Sequence, residues 1–279
     1  MTPTMRAQRQ TQKLRHTFAE ELRTVEDIVV GLVPADYAAP PVHPGWDVRL
    51  LCAGALGRLT DVSAQLERPS ASRPVTLERY ASHLLATRHR RYDRAVDTAG
   101  QDTGPLLGDQ LVAVIEDVVA GVVEGDLPAL VDTGAGQLSL LDFLRVHVLE
   151  LVLFHDDLAR TLRAAGRQIV APPVEATATA VRTSADILAA RAPGKAIEVR
   201  IPPFAAVQIG DPVRATPGGV VAPEPAHTRG TPPAVIETDA TTFLRVMSGR
   251  MSWDSAVADH GVMASGLRTD LSPLLPLIA

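Results

Sequence analysis

The segment from Leu138 to Leu158 constrains the fold of this chain most, because it is long and predominantly apolar. It reads LSLLDFLRVHVLELVLFHDDL and carries Glu150 and His155 in its second half. A helix that is apolar on nearly all sides belongs at the centre of a bundle rather than on a surface. A carboxylate and an imidazole are costly to bury there unless they are paired or bind a metal. The state of these two groups therefore bears on whether the protein is an enzyme.

Composition narrows the class of protein. The chain has 279 residues, 46% of them hydrophobic and 21% charged, which suits one large domain or two ordinary ones with a real core. Arg145, His147 and Glu150 interrupt the longest apolar run, so no membrane-spanning helix and no stable membrane insertion is predicted. A net charge of -5 argues against a nucleic-acid binder. Cys52 is the only cysteine and no secretory signal is visible, which together favour a reducing cytoplasm.

Residues 8–170 have the pattern of a helical bundle. Apolar residues recur at helical spacing, and polar or Pro/Gly-containing segments separate the candidate helices. These helices are predicted at Gln8–Leu32, Asp47–Leu66, Thr76–Ala99, Pro105–Val123 and Leu138–Ala165. Long helices with short connections predict an antiparallel bundle of four main helices.

Residues 174–279 have a different pattern, that of a small α+β domain. One helix, Val174–Arg191, precedes a segment in which apolar and charged residues alternate as in a half-buried strand. Strands are predicted at Ile197–Ile201, Phe204–Ile209, Ala234–Glu237 and Gly261–Ala264, and short helices at Thr241–Ser248, Trp253–Ala258 and Leu271–Leu277. The Pro- and Gly-rich stretch Pro212–Pro233 is predicted to be a long loop, and whether it acts as a lid stays open.

Helical geometry argues against a metal site built from Glu150 and His155. Five residues of separation place them about 140° apart around a regular helix, unless a π-bulge absorbs the extra residue. His147, one turn before Glu150, is the better-placed partner. In the alternative interpretation, Glu150 pairs with a buried arginine such as Arg49 or Arg145. His155 then forms a polar helix end with the two aspartates that follow it.

Two motifs in the helical region carry a resemblance to a known family. The sequences PGWDVR at 44–49 and ELVLFHDDLA at 150–159 resemble the N-terminal bundle of mycothiol-dependent maleylpyruvate isomerases, which is DinB-like. The resemblance spans Leu14 to Ala165. It implies a divalent metal, usually zinc, held by a histidine after the Gly-Trp motif and by a Glu and a His four residues apart on the last helix.

Only one of these three ligands is present in this chain. The family's Glu is Glu150, but Gly54 and Phe154 stand where the two histidines are expected. Since glycine and phenylalanine offer no lone pair, one carboxylate alone cannot hold zinc. The resemblance therefore predicts that the metal is lost. Because Cys52 and His155 are near the missing ligands, a rearranged site with Glu150 and His155 as residual candidates is the alternative.

The C-terminal region carries a closer resemblance. The stretches TAVR at 179–182, APGKAIEVRIPPFAAVQ at 192–208, HTRGTPP at 227–233, VIETD at 235–239, SGRMSW at 248–253 and ASGLRTDL at 264–271 follow in the expected order. They closely resemble the bacterial sterol-carrier-protein orthologues of actinobacteria. This resemblance implies a five-stranded mixed sheet with helices on one side and an apolar tunnel between the layers. Relatives carry or transfer lipids.

Seven residues of this region are candidates for ligand binding. An apolar pocket is predicted to use the side chains of Phe204, Val207, Phe243, Met247 and Trp253, which could equally fill a closed core. Arg229 and Arg268 are candidate clamps for a carboxylate or phosphate head group. Their alternative role is a structural ion pair, with Glu237 and Asp270 as candidate partners.

These observations predict a cytoplasmic, non-catalytic protein that binds a lipid or another apolar small molecule, without a cofactor. Its isomerase-like bundle would be degenerate. The alternative is an isomerase or transferase with a rearranged zinc site and mycothiol as cofactor, in which the metal lowers the pKa of the thiol. A structural or partner-binding role is the third possibility. The sequence does not assign an oligomeric state.

Overall fold

The chain folds into two units, which a computed structural model describes over residues 3–43, 45–68, 72–101, 104–212 and 234–278, with side chains from residue 8 onward. One unit comprises Met1–Thr76 and Ala86–Ala176, and the other comprises Leu77–Leu85 and Thr177–Ala279. The predicted helical region followed by an α+β region is confirmed. Within the described ranges, no helix is long and apolar enough to cross a membrane.

Four long helices form the centre of the N-terminal unit. They are α1 (Pro3–Val30), α2 (Val48–Leu66), α5 (Gly104–Glu124) and α6 (Leu140–Ala164), and α4 (Arg88–Gln101) packs against α2. Residues at helical spacing on α1, including Phe18 and Leu22, are fully buried. Asp47 caps α2 as expected, because its side chain accepts a hydrogen bond from the backbone N–H of Leu50.

The expected antiparallel arrangement is wrong for α1 and α6. His155 of α6 contacts Glu21 of α1, and Arg167, just beyond α6, donates a hydrogen bond to the carbonyl of Gly31, just beyond α1. Contacts that advance together along both helices mean that the two run in the same direction. Long intervening segments permit this arrangement, because only short connections force neighbouring helices to be antiparallel.

Two segments of the helical region differ from their prediction. The helix expected at Thr76–Ala99 is broken at Thr87 into α3 (Leu77–Ala86) and α4. The segment expected to begin α6 at Leu138 instead belongs to a hairpin of β1 (Leu130–Thr133) and β2 (Gly136–Ser139). Ser139 then caps α6 by accepting from the N–H of Asp142. A short apolar run adjoining a helix does not by itself distinguish strand from helix.

The C-terminal unit is built on a mixed sheet. Its strands are β3 (Ile197–Ile201), β4 (Ala205–Ile209), β5 (Ala234–Thr238) and β6 (Val262–Ser265), in the order β4-β3-β5-β6. The β3–β5 pair is parallel and the other two pairs are antiparallel. The described residues thus provide four strands, where the resemblance implied five. The helices of this unit are α7 (Val174–Arg191), α8 (Ala240–Met247) and α9 (Trp253–Ala258), and residues 213–233 lie outside the described residues.

The two faces of this sheet differ in burial. On the inner face, Val199 and Ile236 are buried. On the outer face, one cross-strand row runs through Ala206, Arg200, Glu237 and Met263, all of them half-buried or exposed. We call these four residues the outer row.

The helix predicted at Leu271–Leu277 is wrong. Only a single 3-10 turn, Ser272–Leu274, forms there. Pro273 and Pro276 lack the N–H groups that a longer helix needs. Leu277 instead donates its backbone N–H to the carbonyl of Met247.

Arg191 binds α3 to the C-terminal unit. Its guanidinium donates to Ser82 Oγ at 2.9 Å and to Glu78 Oε1 at 3.3 Å, both on α3, and to the carbonyl of Pro276 at 3.1 Å. The side chain of Arg191 is 9% exposed. A buried guanidinium needs several acceptors, and α3 supplies two of them. These hydrogen bonds hold α3 to the unit to which Leu77–Leu85 belongs.

Candidate functional site

Glu150 lies near the middle of α6 and is enclosed by basic side chains. Arg91 on α4 donates from Nη1 to Glu150 Oε1 at 2.6 Å, and His147 Nδ1 lies 3.1 Å from Oε2. The second contact is one of distance, since Oε2 accepts no hydrogen bond of regular geometry from the described residues. The side chain of Glu150 is 7% exposed. His147, which the sequence indicated as the better-placed partner, thus lies within ion-pair distance of Glu150.

The arginine partner differs from the two suggested by the sequence. Arg49 donates to the carbonyl of Ala99, and Arg145 pairs with Asp142 on its own helix. Arg91 is 59 positions from Glu150 in the chain, so no local spacing could identify it.

The basic neighbours set the protonation state of Glu150. Burial alone would raise its pKa. The charge of Arg91 opposes this most strongly, followed by contact with His147 and the charge of Arg58, and together they hold the pKa of Glu150 well below its ordinary range. Glu150 is thus a carboxylate at neutral pH, and basic side chains provide its counter-charge.

Arg58 on α2 lies near Phe154 and Gly54, the two positions at which the resemblance leads one to expect histidines. Its guanidinium carbon is 5.9 Å from the centre of the Phe154 ring, in a cation–π arrangement. A Cβ added to Gly54 would lie 3.7 Å from Arg58 Nη1 and 3.1 Å from Cζ3 of Trp46. Glycine at 54 therefore lets the indole of Trp46 approach α2 closely.

The crevice beside these groups is very small. Its volume is about 10 Å³, and Arg58, His147 and Glu150 line it together with Phe18, Ala55, Leu59, Val62 and Leu151. A single water needs roughly 10–15 Å³. The crevice thus has no room for a metal ion together with a thiol cofactor.

The residues present do not fit the divalent metal that the resemblance implies. Gly54 and Phe154 bring no ligand atom, and Glu150 is already paired with Arg91. Burial, and secondarily the charge of Asp47, raises the pKa of Cys52 to about 12, so its thiol is protonated at neutral pH. Among the described residues, no group of three His, Cys, Asp or Glu side chains is arranged to hold a metal ion.

His155 belongs to a separate buried pair. It is fully buried rather than part of a polar helix end, and its Nδ1 lies 2.9 Å from Oε1 of Glu21, which is also fully buried. Its Nε2 lies 3.0 Å from the carbonyl oxygen of Val170. Since that oxygen only accepts, Nε2 carries a hydrogen. One further proton is then shared between Nδ1 and the Glu21 carboxyl.

Burial dominates the electrostatics of Glu21. It raises the pKa of Glu21, and the hydrogen bond and charge of His155 oppose this only in part. The sequence contains a signal for this position, because Glu21 lies three residues after Phe18 and four before Val25 on the apolar side of α1. An acidic residue within an apolar helical row predicts a buried partner.

The structure places the predicted apolar ligand-binding residues in two environments. Phe243 and Met247 on α8 are each 1% exposed, and Trp253 is also buried. Phe204 and Val207 are half-buried. Phe204 lines an open groove of about 540 Å³ together with Arg200, Glu237, Pro202, Pro203, Ala205 and Ala206. Three members of the outer row thus contribute to this groove.

The two candidate arginines cannot both be placed. Arg268 pairs with Asp211 at 2.8 Å, rather than with the suggested Glu237 or Asp270. Its side chain is 61% exposed, whereas that of Asp211 is 5% exposed. Arg229 lies outside the described residues.

Comparisons with known proteins agree with this architecture. Residues 18–159 match the family profile described as the mycothiol maleylpyruvate isomerase N-terminal domain, and residues 174–277 match the one described as the bacterial SCP ortholog. Among solved structures, the chain is similar to the crystal structure of the mycothiol-dependent maleylpyruvate isomerase, with a TM-score of 0.54 and 14% identity over 91% of this chain and 92% of that chain. A histidine-to-alanine mutant of that enzyme gives the same values.

At this identity the structural likeness shows the fold alone, and no curated protein matches the chain. The first profile covers more than half of the chain. The chain therefore belongs to the mycothiol maleylpyruvate isomerase N-terminal domain family, and its C-terminal part matches the bacterial SCP ortholog family.

Proposed function

We propose that this protein is a non-catalytic binder of a lipid or another apolar small molecule. The observation that carries this proposal is the pairing of Glu150 with Arg91 and His147 beside a crevice of about 10 Å³. A metal-dependent thiol enzyme needs an open coordination position at its metal. Here the one carboxylate that the family motif retains has basic side chains as partners. A reducing, cytoplasmic setting suits a chain whose single cysteine is buried.

Binding of an apolar molecule is proposed for the C-terminal unit. The match to the bacterial SCP ortholog family supports it, and so does the groove on Phe204. This groove combines apolar side chains with the guanidinium of Arg200 and the carboxylate of Glu237. Such a lining suits an amphipathic molecule with an apolar body and a polar end.

Two positions are available to the ligand, the groove and the interior of the unit, and they differ in how far the side chains must move. A molecule in the groove on Phe204 needs no rearrangement, because the groove is open to solvent. An interior molecule against Phe243, Met247 and Trp253 requires these buried side chains to move apart. The groove is therefore the preferred position, although Arg268, which pairs with Asp211, is not among the residues that line it.

A fluorescent apolar probe displaced by fatty acid tests the binding proposal. We expect Phe204→Ala to weaken probe binding roughly tenfold, because a buried aromatic contact contributes on the order of 1.5–3 kcal/mol. Val257→Ala is the matched control, since Val257 is a partly exposed apolar residue on α9. If Met247→Ala weakens binding and Phe204→Ala does not, the ligand lies in the interior. Binding is refuted if no probe binds and no lipid co-purifies in native mass spectrometry.

Membership of the isomerase family favours a second candidate, an isomerase or transferase with zinc and mycothiol. Metal analysis of the purified protein separates the two. We expect less than stoichiometric zinc and no mycothiol-dependent turnover of maleylpyruvate. Stoichiometric zinc that is lost in Glu150→Ala or His155→Ala, together with such turnover, would establish the enzyme instead.

A further inference from the structure

Three basic side chains converge on one carboxylate in the interior of the bundle. Arg91 lies 2.6 Å from Glu150, His147 lies 3.1 Å from it, and Arg58 lines the same crevice. They come from α4, α6 and α2, so three helices contribute charge to one point. Burying a charged group is costly unless an opposite charge pairs with it, and the arginines and Glu150 provide opposite charges here.

The position of Arg58 indicates what these basic side chains replace. Its guanidinium lies against Phe154 and beside the position of a Cβ at Gly54, the two positions at which the family motif lacks its histidines. We propose that the guanidinium groups of Arg58 and Arg91 replace the divalent cation of this family as the positive charge at Glu150. This inference extends the proposed absence of catalysis and does not depend on which ligand the C-terminal unit binds.

The replacement has a chemical consequence. A guanidinium is a permanent cation that donates hydrogen bonds but offers no open position for a substrate or a thiol. It also repels any divalent ion that approaches the same carboxylate. The site therefore keeps the electrostatic balance that supports the bundle and cannot recruit a metal. Loss of the metal is then linked to the presence of two arginines as well as to the absence of two histidines.

Thermal unfolding tests whether the positive charge of Arg91 is needed to stabilise the buried carboxylate of Glu150. We expect Arg91→Met to lower Tm by roughly 10 °C, because it leaves a carboxylate buried without its strongest partner. Arg94→Met is the matched control, since Arg94 lies on the same helix and its pair with Asp61 is 51% and 42% exposed. This control is expected to change Tm by less than about 2 °C. The double variant Arg91→Met/Glu150→Gln should regain more than half of the loss, because it removes the unpaired charge.

Restored metal binding tests the replacement itself. One variant, Gly54→His/Phe154→His, rebuilds the expected ligands and keeps both guanidiniums. A second variant carries the same two histidines together with Arg58→Met and Arg91→Met. The half-exposed Trp46 has to shift by a few tenths of an ångström in both variants alike. In chelator-competition titrations with zinc, we expect the first to bind roughly 100-fold more weakly than the second, since two fixed cations oppose the ion.

The outcomes are distinct. Equal zinc affinities in the two variants, or equal Tm losses for Arg91→Met and Arg94→Met, would overturn the replacement. If the fourfold variant does not fold, the Tm comparison decides alone. Neither result depends on the apolar probe, so failure of the binding proposal and failure of this inference are separately visible.

Discussion

Two buried glutamates, Glu150 on α6 and Glu21 on the neighbouring α1, have different kinds of partner and opposite pKa shifts. Glu150 has a guanidinium at 2.6 Å and an imidazole at 3.1 Å, and its pKa lies below the ordinary range. Glu21 has a single imidazole at 2.9 Å, and burial raises its pKa. A guanidinium is always charged, whereas an imidazole can give up its proton near neutral pH. Glu150 thus has a partner whose charge is permanent, whereas the partner of Glu21 is an imidazole.

The first prediction concerns how many partners each glutamate can lose. His155→Leu removes the one hydrogen-bond partner that the described residues give Glu21, and we expect a loss of about 3 kcal/mol in the free energy of unfolding. His147→Leu leaves Arg91 on Glu150 and should cost only about 1 kcal/mol. Urea denaturation of the two variants measures both values. Equal losses would mean that Arg91 does not compensate at Glu150.

The second prediction concerns pH. The contribution of Glu150 is fully present above its unfolded pKa of about 4.3 and is lost as pH falls through its lowered folded value. That of Glu21 has the opposite sign, because stability is lost as pH rises from about 4.3 through its raised folded pKa. We expect Glu21→Gln to abolish a loss of stability that the unaltered protein shows as the pH rises above about 4.3.

Glu150→Gln is the matched variant for this experiment. It should leave that loss unchanged and should instead weaken the dependence of stability on pH in the acid range. Urea midpoints measured across the pH range distinguish the two variants. The comparison fails if both substitutions alter the same part of the pH profile.

The sequence predicts the helices well where the relevant signals are local. Asp47 caps α2 as its position indicates, and α7 and α9 have the predicted bounds. Prediction fails where a short segment has two acceptable structures, as at Leu138, whose apolar neighbours suit strand and helix alike. It also fails where proline removes backbone donors, as at Pro273 and Pro276.

The candidate site is less predictable because its contacts are long-range. His147 was identifiable as the partner of Glu150 because the two lie three residues apart on one helix. Arg91 and Glu21 come from other helices, and only the packing of the bundle brings them to α6. A single sequence shows that Gly54 and Phe154 bring no ligand atom to the positions at which the resemblance leads one to expect histidines. It does not show which distant side chain has taken their place.

The smallest expected effect separates the two guanidiniums at Glu150. Arg58 acts on Glu150 by charge alone and stacks on Phe154 at 5.9 Å, so Arg58→Met should cost only about 1 kcal/mol. Its Met side chain preserves most of the apolar contact with the ring, which leaves the lost charge as the main difference. Urea denaturation of Arg58→Met and Arg91→Met at pH 7 shows which variant loses more free energy of unfolding. If Arg58→Met loses as much free energy of unfolding as Arg91→Met, the two arginines contribute equally to the counter-charge of Glu150. The direct hydrogen bond from Arg91 then contributes little beyond its charge.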